Sequence, residues 1–230
     1  MKNLQRIGAV GAFVMAAAYI VGLALAFTVL DTAGLEGPEA VVRFHVDHYA
    51  AYYLWITLIY VIAGAALVPL ALALHERLVR RAPDTKPLAL LGTAFGLIWA
   101  VLVLGSGLLH NVGLGETVAL YGEDPLQAAF FWHVIETVHV GIGASIEIPG
   151  GLWTLLIAVA GLRSGVFPRA LNWFALVIGL AGLASVVPAI IDVVVPVYAL
   201  GQIVWWIVLG VILLRDPLEE SSEESPEVGI

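Results

Sequence analysis

Apolar residues along this chain fall into six long runs, at roughly 7–30, 51–74, 88–111, 140–162, 171–191 and 197–214. Each approaches the ~20 helical residues that cross a hydrocarbon core. The polar positions between them are sorted by charge. Lys2 and Arg6 precede the first run. Arg77, Arg80, Arg81 and Lys86 separate the second from the third. Arg163 and Arg169 separate the fourth from the fifth, and Arg215 follows the sixth. Arg43 alone lies in another gap. Cytoplasmic loops carry the excess of Lys and Arg, so this alternation places both termini in the cytoplasm. The predicted fold class is all-α: a polytopic six-helix transmembrane bundle over residues 1–216, multi-pass in the cytoplasmic (inner) membrane.

Finer patterning refines the elements. The first outer loop holds Pro38 and then VVRFHVDHY, which predicts a short interfacial helix. Tyr52, Tyr53 and Trp55 read as an aromatic belt at the start of helix 2. Helix 3 carries a Gly92-to-Gly96 GxxxG pattern and is expected to end at His110-Asn111. The fourth segment, helical from Gln127 onward, is too long for a simple span. Its first part, 127–139, is expected at or above the outer interface. A bend is expected near Ser145–Gly151, where Pro149, Gly150 and Gly151 follow one another. Helices 5 and 6 are joined by a short outer loop containing Asp192.

Composition agrees with a lipid-solvated chain: 61% hydrophobic and 12% charged residues, against about 45–50% and about 25% in soluble domains. The absence of Cys excludes disulfides, thiolate metal sites and thiol nucleophiles. The net charge of −8 comes mostly from Asp216, Glu219, Glu220, Glu223, Glu224 and Glu227. Residues 217–230 therefore predict an acidic, disordered cytoplasmic tail. No basic patch suits nucleic acid, which is not expected as a partner.

The stretch GLRSGVFPRALNWFALVIGLAGLASVVP, with GQIVWWIVLGVILL near the end and RIGAVGAFVMAAAYIVGLAL near the start, resembles a prokaryotic family of six-helix integral membrane proteins of unknown function. In that family a basic turn, a Pro and a Trp introduce helix 5, and Arg163, Pro168 and Trp173 match that pattern. The resemblance implies the fold and carries no activity or catalytic residues.

The chemistry-bearing residues are one-sided. His45, His48, His110, His133 and His139 all fall on the outer side; only His75 is inside. His133, Glu136 and His139 recur at i, i+3 and i+6 on an arc of about 120°, and Glu147 falls inside the same arc if the helix continues. Together with His110, the residues His133, Glu136 and His139 are the candidate ligands of a divalent metal such as zinc, with Asp31 and Asp192 next in line; the alternative is a polar surface cluster without metal. For His45 and His48 a solvated loop is the expected setting. Glu147, about two turns inside the outer boundary, is a functional group by default, because a carboxylate in a span costs about 2.5–3.5 kcal/mol on insertion scales. Ser106, Ser145 and Gln202 are its expected partners. Glu147 and Glu136 are thus the candidate catalytic groups.

These readings point to a polar His/carboxylate pocket open to the extracytoplasmic face, in a metal-binding or ligand-binding membrane enzyme. A small proton-coupled transporter using Glu147, or an accessory scaffold without a site, remains the alternative. The expected partners are the lipid bilayer and a small-molecule ligand. Enzymatic activity and homo-oligomerisation stay open.

Overall fold

The computed structural model describes residues 2–144 and 147–216. The tail expected at 217–230 and the candidate partner Ser145 lie outside the described residues. The described residues form helices joined by short loops, with no strand among them, and five stretches are long and apolar enough to cross a membrane. The elements are α1 (Lys2–Ala26), α2 (Pro38–Asp47), α3 (Tyr49–Ile56), α4 (Ala63–Arg81), α5 (Lys86–Tyr121), α6 (Pro125–His139), α7 (Ile148–Ser164), α8 (Arg169–Ala184) and α9 (Ile191–Arg215). Wider π-helical turns, Thr57–Ile62 and Val140–Ala144, follow α3 and α6.

The boundaries have local causes. Pro38 and Pro125 sit in the first turns of α2 and α6, where a missing N–H is harmless. Asp124 caps α6, its Oδ1 accepting from the Leu126 and Gln127 N–H groups at 3.0 and 3.1 Å. Gly165, with φ +67, ends α7 in the left-handed conformation.

Helix rods pack in chain order into a closed ring. α1 lies on α4, α4 on α5, α5 on α7, α7 on α8, α8 on α9, and α9 returns to α1. The ring encloses Trp99, Trp153, Tyr198, Trp205 and Trp206, all buried, with Trp153 edge-on to Trp205 at 5.1 Å. Lipid offers no hydrophobic drive between helices, so shape must hold the ring. At the α7–α8 crossing a Cβ on Gly151 would lie 2.8 Å from the Leu183 nitrogen and 2.9 Å from the Gly179 oxygen.

One end of the ring gathers the start of α1 and the residue that follows α9. Gln5 Nε2 donates to the Ala73 carbonyl and to Glu76 Oε2, at 3.0 and 3.1 Å. Buried Arg77 donates to the Asp216 carbonyl and carboxylate, at 2.7 and 2.6 Å, and stands 5.9 Å over the Phe167 ring. At the opposite end α2, the far part of α5 and α6 form a cap. It has its own apolar cluster of Val42, Leu114, Ala128, Ala129 and Trp132.

Three sequence boundaries need correction. α5 does not stop at His110-Asn111. It runs for 36 residues, about 54 Å, because Leu114 and Thr117 are buried in the cap. α8 has only 16 residues, about 24 Å, short of a ~30 Å core. It ends at Ala184 and α9 begins at Ile191, because Pro188 disfavours helix before it. The fourth segment starts at Pro125, well before His133 as expected, but in place of a bend within one helix it divides in two. Gly143 leaves helical geometry with φ 166, ψ 13, and Glu147 is the N-cap of a new helix. Pro149 therefore opens α7 and kinks nothing.

Candidate functional site

The seam between cap and ring collects the polar side chains. α6 turns Ala128, Ala129, Trp132 and His139 inward. Glu136, one turn beyond Trp132, stands at the edge of that stripe, its side chain 41% exposed. It accepts a hydrogen bond from His110 Nε2 of α5 at 2.9 Å. His110 is fully buried, its ring 4.3 Å from that of His139 and 4.7 Å from that of Trp132. Ser106, one turn before His110, fixes His139: its Oγ lies 2.6 Å from His139 Nδ1 and 3.1 Å from the His139 carbonyl oxygen.

α2 supplies the roof. Val42 and His45, three residues apart, are its buried positions. The His45 ring lies 4.2 Å from Tyr52 and 4.8 Å from Trp132. Burial pushes the His45 imidazole down to about 4, with Glu136 opposing that shift. A partly open cavity of about 290 Å³ lies below, lined by Ala26, Leu30, Thr32, Val41, His45, Tyr52, Trp55, Trp132 and Glu136. Tyr60, in the first π-helical segment, packs edge-on to His139 at the end of α6, 4.7 Å away, where the second begins. Such turns are frequent at functional sites.

Glu147 belongs to a second, deeper place. It is buried and accepts from Trp99 Nε1 at 3.1 Å. Its backbone N–H donates to Ser185 Oγ at 2.8 Å. The break after Gly143 takes Glu147 off the arc of His133, Glu136 and His139. Its expected partners are engaged elsewhere: Ser106 with His139, and Gln202, whose Nε2 donates to Thr154 Oγ1 at 2.7 Å.

No protein-family model, curated protein or solved structure matches the chain.

The site is therefore read from its own geometry. His110, Glu136 and His139 come together; His133 does not. It is exposed and borders a different surface depression beside Phe130 and Glu39, because it lies 100° around α6 from the buried Trp132. Among the described residues no group of three or more His, Cys, Asp or Glu side chains is arranged to hold a metal ion. The expected zinc quartet is corrected on that ground: His110 Nε2 is bonded to Glu136, and His139 Nδ1 lies against Ser106. Asp31 instead holds its own turn, accepting from the Ala33 N–H at 2.9 Å, and Asp192 is exposed in the first turn of α9.

The sequence reading missed His45, Tyr52, Trp55 and Trp132. Val42 and His45 at i, i+3, and Tyr52 and Trp55 at the same spacing, were the available signal. Both pairs sit beside polar residues that a loop or a membrane surface explains equally well. Only the docking of α2 onto α6 separates those readings.

Proposed function

We propose that this chain is a six-crossing protein of the cytoplasmic membrane, with both termini inside, whose extracytoplasmic cap holds a ligand-binding and proton-exchanging pocket. Five long apolar helices and the ring closed by the shorter α8 favour six crossings. The cation pattern favours this orientation. The resemblance to a prokaryotic six-helix family is consistent with both.

The observation that carries the pocket is the His110–Glu136 pair. A fully buried imidazole is bonded to a half-exposed carboxylate on a cavity wall. An imidazole hydrogen-bonded to a carboxylate is a pair of side chains able to carry a proton. Acids dominate the surrounding loops and helix ends. Asp31, Glu36, Glu39, Asp47, Glu116, Glu123 and Asp124 face Arg43 alone, and Arg43 is within 3.8 Å of Asp47.

The native chain has no Cys, so single cysteines test this reading cleanly. Thr32→Cys and Val41→Cys should react with a membrane-impermeant maleimide on intact cells. Asp84→Cys should react only after permeabilisation. The reverse pattern, or protection of both pocket positions, would refute the pocket or its orientation.

A second reading is favoured by Glu147, a buried carboxylate inside the ring with Trp99 as its side-chain donor. There the protein is a small proton-coupled transporter, with Glu147 as the proton-carrying group. Glu147→Gln in proteoliposomes should keep folding and abolish proton-coupled flux. Unchanged flux would remove Glu147 from that role.

A further inference from the structure

The cavity under α2 combines three features that select one ligand chemistry. Its wall is aromatic: Tyr52, Trp55, Trp132 and His45 line it. Two of these rings are held in place before any ligand arrives. Trp55 Nε1 donates to the Gly22 carbonyl at 2.8 Å, and Tyr52 packs 5.4 Å from Trp55. The wall also carries the Glu136 carboxylate. Finally, His45 is only 4% exposed, and its Nδ1 has no hydrogen-bond partner among the described residues.

Ring faces attract cations through their quadrupole. A carboxylate beside them adds charge compensation, and Asp31 adjoins the lining residues Leu30 and Thr32 in sequence. An anion would meet the Glu136 carboxylate, at a cost. A purely apolar ligand would leave His45 Nδ1 without a partner and would cover the exposed part of the Glu136 carboxylate without compensating its charge. At about 290 Å³ the cavity lies at the lower end of ligand pockets, which span about 300–1,000 Å³.

We propose that the cavity binds a small organic cation: an ammonium group against Tyr52, Trp55 and Trp132, balanced by Glu136, with a short polar arm reaching His45. This rests on the reading of the same cavity as the ligand site. The ammonium could be supplied by a free amine or by a lipid headgroup.

The test uses the full chain in a maltoside detergent. Binding is followed by calorimetry with choline, its uncharged isostere 3,3-dimethyl-1-butanol, and acetate. Choline should bind saturably, and the isostere about tenfold more weakly, a typical loss for a desolvated cation–π site. Glu136→Gln, which can still accept from His110, should weaken choline by a similar factor, and so should Trp55→Leu. Equal affinity for choline and the isostere, or a choline affinity unmoved in both variants, overturns the proposal. In nanodiscs, competition by phosphatidylcholine against a phosphatidylglycerol background supports the headgroup as source. Choline binding without that competition supports the free amine. If Thr32→Cys labels from outside but choline does not bind, the cation class fails and the pocket stands. If Thr32→Cys is not labelled from outside, the pocket reading fails first.

Discussion

His110 Nε2 and Glu136 Oε2, 2.9 Å apart, tie the far part of α5 to the last turn of α6 and so hold the cap together. Charge-assisted hydrogen bonds contribute about 1.5–3 kcal/mol, and the 41% exposure of Glu136 lowers this through solvent screening. A double-mutant cycle of His110→Phe and Glu136→Ala should give a coupling of about 1–2 kcal/mol in unfolding measurements in detergent. A coupling indistinguishable from zero would make the pair incidental.

His45 gives the cap a pH dependence. Its folded value, about 4, lies below the ordinary ~6.5 of a free imidazole. At pH above about 6.5 both folded and unfolded forms are neutral, and the cap keeps its full stability. As pH falls from there towards about 4, the unfolded chain takes up a proton that the buried ring resists, and stability is lost. Glu136, His110 and His48 are the groups that act on it electrostatically. Thermal midpoints measured from pH 7.5 to 4.5 should fall, and His45→Gln should fall less steeply. Parallel curves for the two proteins would contradict this.

Asp216 anchors the opposite end. Its carboxylate accepts from Arg77 at 2.6 Å and from Arg81 at 2.5 and 2.7 Å. The Arg81 hydrogen bonds chiefly, with the charge of Arg77, hold its carboxyl below the usual range. Its contribution is present above the ordinary ~3.9 and is lost only as pH falls through the lower folded value. That window lies below most of His45's. Asp216→Ala should cost about 1–3 kcal/mol: less than a fully buried pair, because Asp216 keeps 54% exposure, but more than a surface pair, because Arg77 is left buried. Unfolding of the full chain checks it, and a loss within error would show that the Asp216 backbone carbonyl suffices.

Two glycine substitutions should separate packing from propensity. Gly151→Ala puts a Cβ against backbone atoms of α8 that cannot yield locally. It should destabilise by about 2 kcal/mol or more, as overpacking does. Gly105→Ala meets nothing within 4 Å and should be neutral, or stabilise by up to about 1 kcal/mol through helix propensity. Thermal midpoints of the pair give the comparison, and equal effects would contradict the close α7–α8 crossing.

Much of the architecture was legible in the chain because its causes are local and one-dimensional. Apolar runs of bilayer length, prolines at first turns and Asp124 at a cap position each act through covalent geometry, backbone hydrogen bonds or transfer into lipid, without reference to a partner. The helical class, the short α2 helix and the early start of α6 follow from these. Glu136, His110 and His139 were legible as residue types facing one side of the chain.

Tertiary structure decided what depends on neighbours in space. Periodicity carried α6 unbroken into Glu147, but the break after Gly143 moved that carboxylate to Trp99 and left Glu136 to His110. His133 shares an arc with Glu136 and His139, yet the buried stripe through Trp132 and His139 turns it away. His45, a loop residue by sequence, is buried because α2 folds down onto α6. A helix repeats every 3.6 residues whatever lies beside it, so sequence spacing assigns a side chain to an arc. Which part of that arc becomes interior is set by the helix that packs there.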